Sequence, residues 1–102
     1  MNMQFGLSDN EIDALRLTFA SFPEVEEAII YGSRARGNYR VSSDIDITLI
    51  GKELTYAQLA LLDEKIDLLY LPYFVDISLF NSLKDSNLVE NIVRDGQVFY
   101  QR

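Results

Sequence analysis

The sequence predicts an α/β domain of the α+β kind, with one small mixed sheet of three to four strands flanked by helices. Three observations predict it. Segments with apolar residues every three or four positions alternate with short segments that are apolar throughout or at every second position. Proline or glycine closes most of them, at Pro23, Gly32, Pro72 and Gly96. The 102 residues are 48% apolar, enough for one core but not two. A domain of this size buries roughly 60–70% of the surface its unfolded chain exposes. Residues 1–102 therefore read as a single domain.

Each element has its own signal. Ser8 with Glu11 three residues on is a capping box, and Ile12, Leu15 and Phe19 continue at helical spacing until Pro23. Residues 26–32 (EEAIIYG) form a short apolar run that stops at Gly32, a strand. A short helix follows the Gly-Ser turn. Residues 44–51 (DIDITLIG) alternate polar with apolar, a second strand. Residues 55–72 read as a helix ended by Pro72, with Leu59, Leu62, Ile66 and Leu69 as its buried stripe. Residues 74–80 (FVDISLF) alternate again, a third strand. Residues 83–96 read as a helix with Leu88 and Ile92, and Val89 and Val93, at i, i+4, closing on Gly96 as a C-cap. The stretch QVFY reads as a short last strand. Leu61, Leu68, Tyr70 and Tyr73 fall off the main stripes. Ordinary core or edge packing is expected of them, with a partner or self-association patch as the alternative.

Composition removes several chemistries at once. The chain has no Cys and no His. Disulfides, thiolate nucleophiles, Cys/His zinc sites and histidine acid–base catalysis are excluded. Any metal must be a hard cation held by oxygen, such as Mg²⁺ or Mn²⁺. The net charge of −7 speaks against a general nucleic-acid binder, though not against a nucleotide accompanied by metal. The start lacks a basic segment followed by an apolar run, so no signal peptide is expected. No stretch approaches the roughly 20 apolar residues of a membrane span, and the cytoplasm is the default location.

Side chains alternate across a strand. In 44–51, Ile45, Ile47 and Leu49 face the core, and Asp44, Asp46 and Thr48 face the other side. In 74–80, Val75, Ile77 and Leu79 face one side, and Phe74, Asp76 and Ser78 the other. If the two strands are neighbours, Asp44, Asp46 and Asp76 share one open face. Residues two apart on a strand lie roughly 6.6 Å apart at Cα. Their carboxylates can converge on one ion, or on two ions about 3.5–4 Å apart. Without a cation the cluster repels itself, and at least one pKa rises. The plain alternative is a solvated polar face. Asp is a poor strand former, so three such residues cost stability without structural gain.

Gly32 and Ser33 stand where an apolar strand ends. Glycine permits a tight turn and close backbone approach. A serine hydroxyl and the N–H groups after it can hold phosphate oxygens, and Arg34 and Arg36 add positive charge. Neither a P-loop nor a dinucleotide fingerprint is present. An ordinary turn with solvated arginines is the alternative, and Gly37 reads as a turn or helix-end residue.

Taken together, Gly32-Ser33-Arg34-Ala35-Arg36-Gly37, then Ser43-Asp44-Ile45-Asp46, then Val75-Asp76-Ile77 resemble the minimal nucleotidyltransferase (MNT) family of the DNA polymerase β-like superfamily. The resemblance covers nearly the whole chain and implies the minimal nucleotidyltransferase fold. It implies transfer of a nucleoside monophosphate, AMP from ATP above all, to an acceptor hydroxyl, with release of pyrophosphate. By resemblance, Asp44 and Asp46 would bind two Mg²⁺ ions, with Mn²⁺ as a substitute. Asp76 would ligate one metal and help activate the acceptor. Gly32 and Ser33 would hold the β- and γ-phosphates, Arg34 or Arg36 would steady the triphosphate, and Ser43 would lie in the nucleotide site.

Larger members of the superfamily carry an extra substrate domain, which these residues do not include. In the minimal family the partner is typically a small helical HEPN toxin encoded nearby, and the pair forms a toxin–antitoxin module. The HEPN ribonuclease motif uses Arg and His. This chain has no His, so the antitoxin half is implied. Its acidic charge would suit a partner with a basic cleft. Two other functions remain: transfer to a small molecule, and neutralisation of the toxin by binding alone. Homo- and hetero-oligomers both stay open.

Overall fold

The computed structural model describes residues 3–102. Its elements run α1 (Asp9–Ala20), β1 (Glu27–Tyr31), α2 (Ser33–Arg36), β2 (Ile45–Ile50), α3 (Tyr56–Asp67), β3 (Val75–Leu79), α4 (Ser86–Asp95) and β4 (Gln97–Gln101). A 3₁₀ turn, Phe80–Ser82, follows β3. The four strands form one mixed sheet in the order β3-β2-β1-β4. β1 is antiparallel to β2 and β4, and β2 runs parallel to β3. The parallel pair needs a crossover, and α3 supplies it.

Local chemistry sets the ends. The Ser8/Glu11 capping box starts α1, and Thr55 with Gln58 makes a second one for α3. Asp85 caps α4 by accepting from the N–H groups of Asn87 and Leu88, so that helix starts at Ser86 rather than at 83. Gly96 caps it in extended backbone and leads straight into β4, without the left-handed turn. A Cβ at Gly96 would strike the Ile92 carbonyl and come within 2.7 Å of Ile29 Cγ2, so the position excludes a side chain.

The core lies on one face of the sheet. Ile45, Ile47 and Leu49 point into it, as strand alternation predicts, and meet Leu15 and Phe19 of α1 and Leu62 and Ile66 of α3. The opposite face is less open than the pattern implies. α4 packs against β1 there, and Thr48 is fully buried, its hydroxyl paired with that of Ser78 at 2.9 Å. Thr48 is therefore a satisfied interior group, whereas Asp46 on the same face is half-buried and Asp76 exposed.

α3 stops at Asp67, five residues before Pro72. Leu68 is its C-cap, and Tyr70 takes a positive φ of 52°. The reversal takes Leu68 and Tyr70 off the inward stripe, and both are exposed, as is Leu61. Of the four off-stripe residues, only Tyr73 packs against the core. Val93 of α4 is likewise exposed, because that helix buries Ile92 alone.

Candidate active site

β1 delivers Tyr31 to the edge of the accessible face, and the chain turns at Gly32. That residue has φ 75° and ψ −156°, a conformation L side chains rarely adopt. A Cβ there would also stand 2.6 Å from Asp46 Oδ2. Two independent constraints thus require glycine, and the second places the Asp46 carboxylate directly on the turn. Ser33 opens the single turn of α2, and its hydroxyl has no hydrogen-bond partner among the described residues. Gly37 ends α2 with φ 87°, a left-handed cap, as the reading of a helix-end residue expects.

The sheet register builds the rest. Tyr31 pairs with Asp46 across β1–β2, and Asp46 with Asp76 across β2–β3. Tyr31, Asp46 and Asp76 therefore form one row on the accessible face. Asp44 lies just before β2 and is exposed. Burial, then the charges of Asp76 and Asp44, push the Asp46 carboxyl above the usual carboxylate range, and Arg36 opposes them. Burial, then Asp46 and Asp76, push the Tyr31 hydroxyl up as well. Burial, then Asp67 and Asp76, do the same to Asp63 on α3. Among the described residues the single ion pair is Arg94–Asp95, so none of the three candidate carboxylates is paired.

The donor chemistry fits a hard divalent cation. All candidate donors are carboxylate oxygens, and like charge gathers around a half-buried Asp46 that Arg36 offsets only in part and that no ion pair among the described residues neutralises. Among the described residues no three acidic side chains yet converge on one point. Asp46 and Asp76 are adjacent, and Asp44 stands a step away.

Two expected nucleotide contacts are engaged elsewhere. Arg34 is 2% exposed. Its guanidinium donates to the carbonyls of Ser43 (3.0 and 2.8 Å), Phe5 (2.8 Å) and Val41 (3.2 Å). It also lies between the rings of Tyr73 and Tyr39, 4.6 and 5.3 Å from their centroids. Arg34 is a clamp on the chain segments around it, whereas Arg36 is exposed and close enough to act on Asp46. Ser43 belongs to the same clamp: its carbonyl receives Arg34, and its hydroxyl accepts from the Arg40 N–H at 2.8 Å. Tyr31 and Asp63 are site neighbours that sequence reasoning missed. For Tyr31 a signal existed, since it directly precedes Gly32 and an antiparallel β2 sets it opposite Asp46.

The sequence matches the family described as Polymerase beta, Nucleotidyltransferase over residues 13–102. The chain belongs to that nucleotidyltransferase family. No curated protein matches it. Among solved structures, a toxin–antitoxin with AMP-PNP is similar at 23% identity and a TM-score of 0.70, covering 94% of this chain and 75% of the other. The MntA-HepT toxin–antitoxin is similar at 16% identity and TM-score 0.67, over 93% and 74%. A tri-AMPylated HEPN toxin in complex with its MNT antitoxin, from Shewanella oneidensis, gives 20% identity and TM-score 0.64, over 91% and 71%. At these identities the likeness establishes the shared nucleotidyltransferase fold.

Proposed function

We propose that this nucleotidyltransferase passes AMP from ATP to a hydroxyl on a HEPN-type toxin, and so acts as the antitoxin of the pair. The observation that carries the reading is the Asp46 carboxylate resting on Gly32. It brings a turn suited to phosphate against a row of carboxylates suited to metal. The similarity to toxin–antitoxin complexes, one with AMP-PNP and one with an AMPylated toxin, supports the acceptor class.

In this reading Gly32 and Ser33 hold the β- and γ-phosphates, and Arg36 steadies the triphosphate. Asp44, Asp46 and Asp76 would hold two Mg²⁺, with Mn²⁺ as a substitute, and the ions would neutralise the phosphates and acidify the acceptor. The acceptor oxygen attacks the α-phosphorus in line. A new O–P bond forms, the bond to the bridging oxygen breaks, and pyrophosphate leaves with the electron pair. The hydroxyl proton passes to Asp76. Rigid strands suit this chemistry, because phosphoryl-type transfer depends on positioning and charge neutralisation rather than on an acid–base histidine. The net charge of −7 complements a basic RNA-cleaving partner, and the reaction belongs in the cytoplasm with its ATP. Among the described residues, no helix is long and apolar enough to cross a membrane.

Label transfer from α-labelled ATP with Mg²⁺ tests the reading, with and without the product of the neighbouring gene, expected to be a HEPN-type protein. Label on that protein, lost with Asp44→Asn, is the expected result. Tight complex formation without label, unchanged in Asp44→Asn, would replace it with neutralisation by binding. Label on small hydroxyl compounds alone would replace it with a small-molecule transferase.

A further inference from the structure

β3 is an edge strand, and its outer side pairs with nothing among the described residues. Phe74 accepts from the Ile45 N–H at 2.8 Å, so its carbonyl points toward β2. Successive residues of a strand turn their peptide groups to opposite edges, so those of Val75, Ile77 and Leu79 point outward. None of them hydrogen-bonds to another segment. Natural edges are commonly blunted by lysine, proline or a bulge. The β3 sequence VDISL has no lysine or proline, and its register with β2 is unbroken from Val75 to Leu79. The opposite edge differs: β4 meets β1 with a register shift at Ala28/Ile29.

A groove of about 230 Å³ runs along this edge, between β3 and the outward face of α3. Tyr56, Ala60 and Asp63 form one wall, and Phe74 and Asp76 belong to the other. Tyr56 and Phe74 are each 66% exposed, large aromatic surfaces left uncovered beside a free strand edge. The groove is continuous with the active-site row through Asp76.

We infer that the β3 edge receives an extended segment of the protein acceptor as a fifth strand, and that this segment carries the hydroxyl to be modified. The inference rests on the transferase reading above and names how its acceptor is presented. An added strand lies about 4.8 Å from β3, and its side chains alternate between faces. A residue opposite Asp76 extends the row Asp76–Asp46–Tyr31 by one place, on the same face. Its hydroxyl comes beside Asp76 without any further domain to position it. The residues before and after it point the other way, into the groove against Tyr56, Ala60 and Asp63. The acceptor segment is thus non-helical, with a Ser, Thr or Tyr flanked by a side chain that stacks on an aromatic ring and by one that is basic, to meet Asp63. Main-chain pairing supplies affinity, and the two flanking positions supply selectivity.

Ala60 gives a clean test, since it is exposed and the chain has no cysteine. Ala60→Arg fills the groove. The expected result is at least a tenfold fall in label transferred to the HEPN protein, with melting temperature and affinity for ATP–Mg²⁺ as in the unmodified chain. Ala60→Cys carrying a photoreactive group should crosslink within two or three residues of the labelled hydroxyl. Transfer by Ala60→Arg at the original rate, or crosslinks confined to a helical surface of the partner, would overturn the inference. Where the unmodified chain transfers nothing, the crosslink still tells an extended segment from a helical surface of the partner, so failure of the groove and failure of the transferase reading are separate results.

Discussion

Asp46 and Arg34 are both charged, both removed from full contact with water, and neither has an ion-pair partner among the described residues. They differ in everything else. Arg34 spends its fork on three carbonyl oxygens and lies between two aromatic rings. Asp46 receives no hydrogen bond among the described residues, and its charged neighbours are mostly of its own sign. A buried charge that is fully hydrogen-bonded is a structural part, whereas one left uncompensated asks for a ligand. The difference separates scaffold from site within a stretch of thirteen residues, and it yields predictions of decreasing size.

The largest concerns Asp46 itself. Asp46→Asn should lower nucleotidyl transfer at least 10³-fold, about 4 kcal/mol of barrier, while the far-UV spectrum and cooperative melting persist. Transfer at the original rate would move the reacting centre away from the row. Arg34→Ala should do the reverse in kind. It leaves three carbonyls without their donor and opens a cavity, costing about 3 kcal/mol and lowering the melting temperature on the order of 15 °C. Arg34→Lys keeps the charge but loses the fork, and should recover only part of that loss. If Arg34→Ala melted normally but failed to bind ATP, the arginine would belong to the site and the comparison would collapse.

Arg36 is the intermediate case, exposed and free to meet a triphosphate. Arg36→Ala should raise the KM for ATP about tenfold, roughly 1.4 kcal/mol, with little change in melting temperature. Steady-state kinetics beside a melting curve check both halves. An unchanged KM would leave the triphosphate to Gly32, Ser33 and the metals.

Much of this was legible because it depends on strand parity. Ile45, Ile47 and Leu49 inward, with Asp46 and Asp76 outward, follows from alternation alone, and the capping boxes and the Gly32 turn follow from local chemistry. Arg34 and Arg36 could not be told apart in the sequence. They are two residues apart on a one-turn helix, and their fates depend on Phe5, Val41, Ser43 and two tyrosine rings, up to 39 positions away along the chain. Thr48 faces away from the core as alternation predicts, but its burial was not legible for the same reason, since it depends on elements distant in the chain. Helix α3 ended early because Tyr70 adopts a left-handed conformation that no glycine announced.

The smallest prediction bears most directly on why the uncompensated acid is kept. In the metal-free protein, burial and the charges of Asp76 and Asp44 raise the Asp46 pKa above its unfolded value. The fold therefore holds the proton more tightly than the unfolded chain does. The resulting stabilisation is fully present below the unfolded pKa and is lost as pH rises through the folded one. Asp46→Asn mimics the protonated acid at every pH. In EDTA it should thus melt with the original chain at low pH, and a few degrees above it once pH has passed the raised value. Adding Mg²⁺ should close that gap by stabilising the original chain and not the variant. Melting curves in EDTA across the acid range, repeated with Mg²⁺ at neutral pH, measure both steps. A variant less stable than the original in EDTA at neutral pH would mean that Asp46 is satisfied within the fold, and the contrast with Arg34 would no longer mark the site.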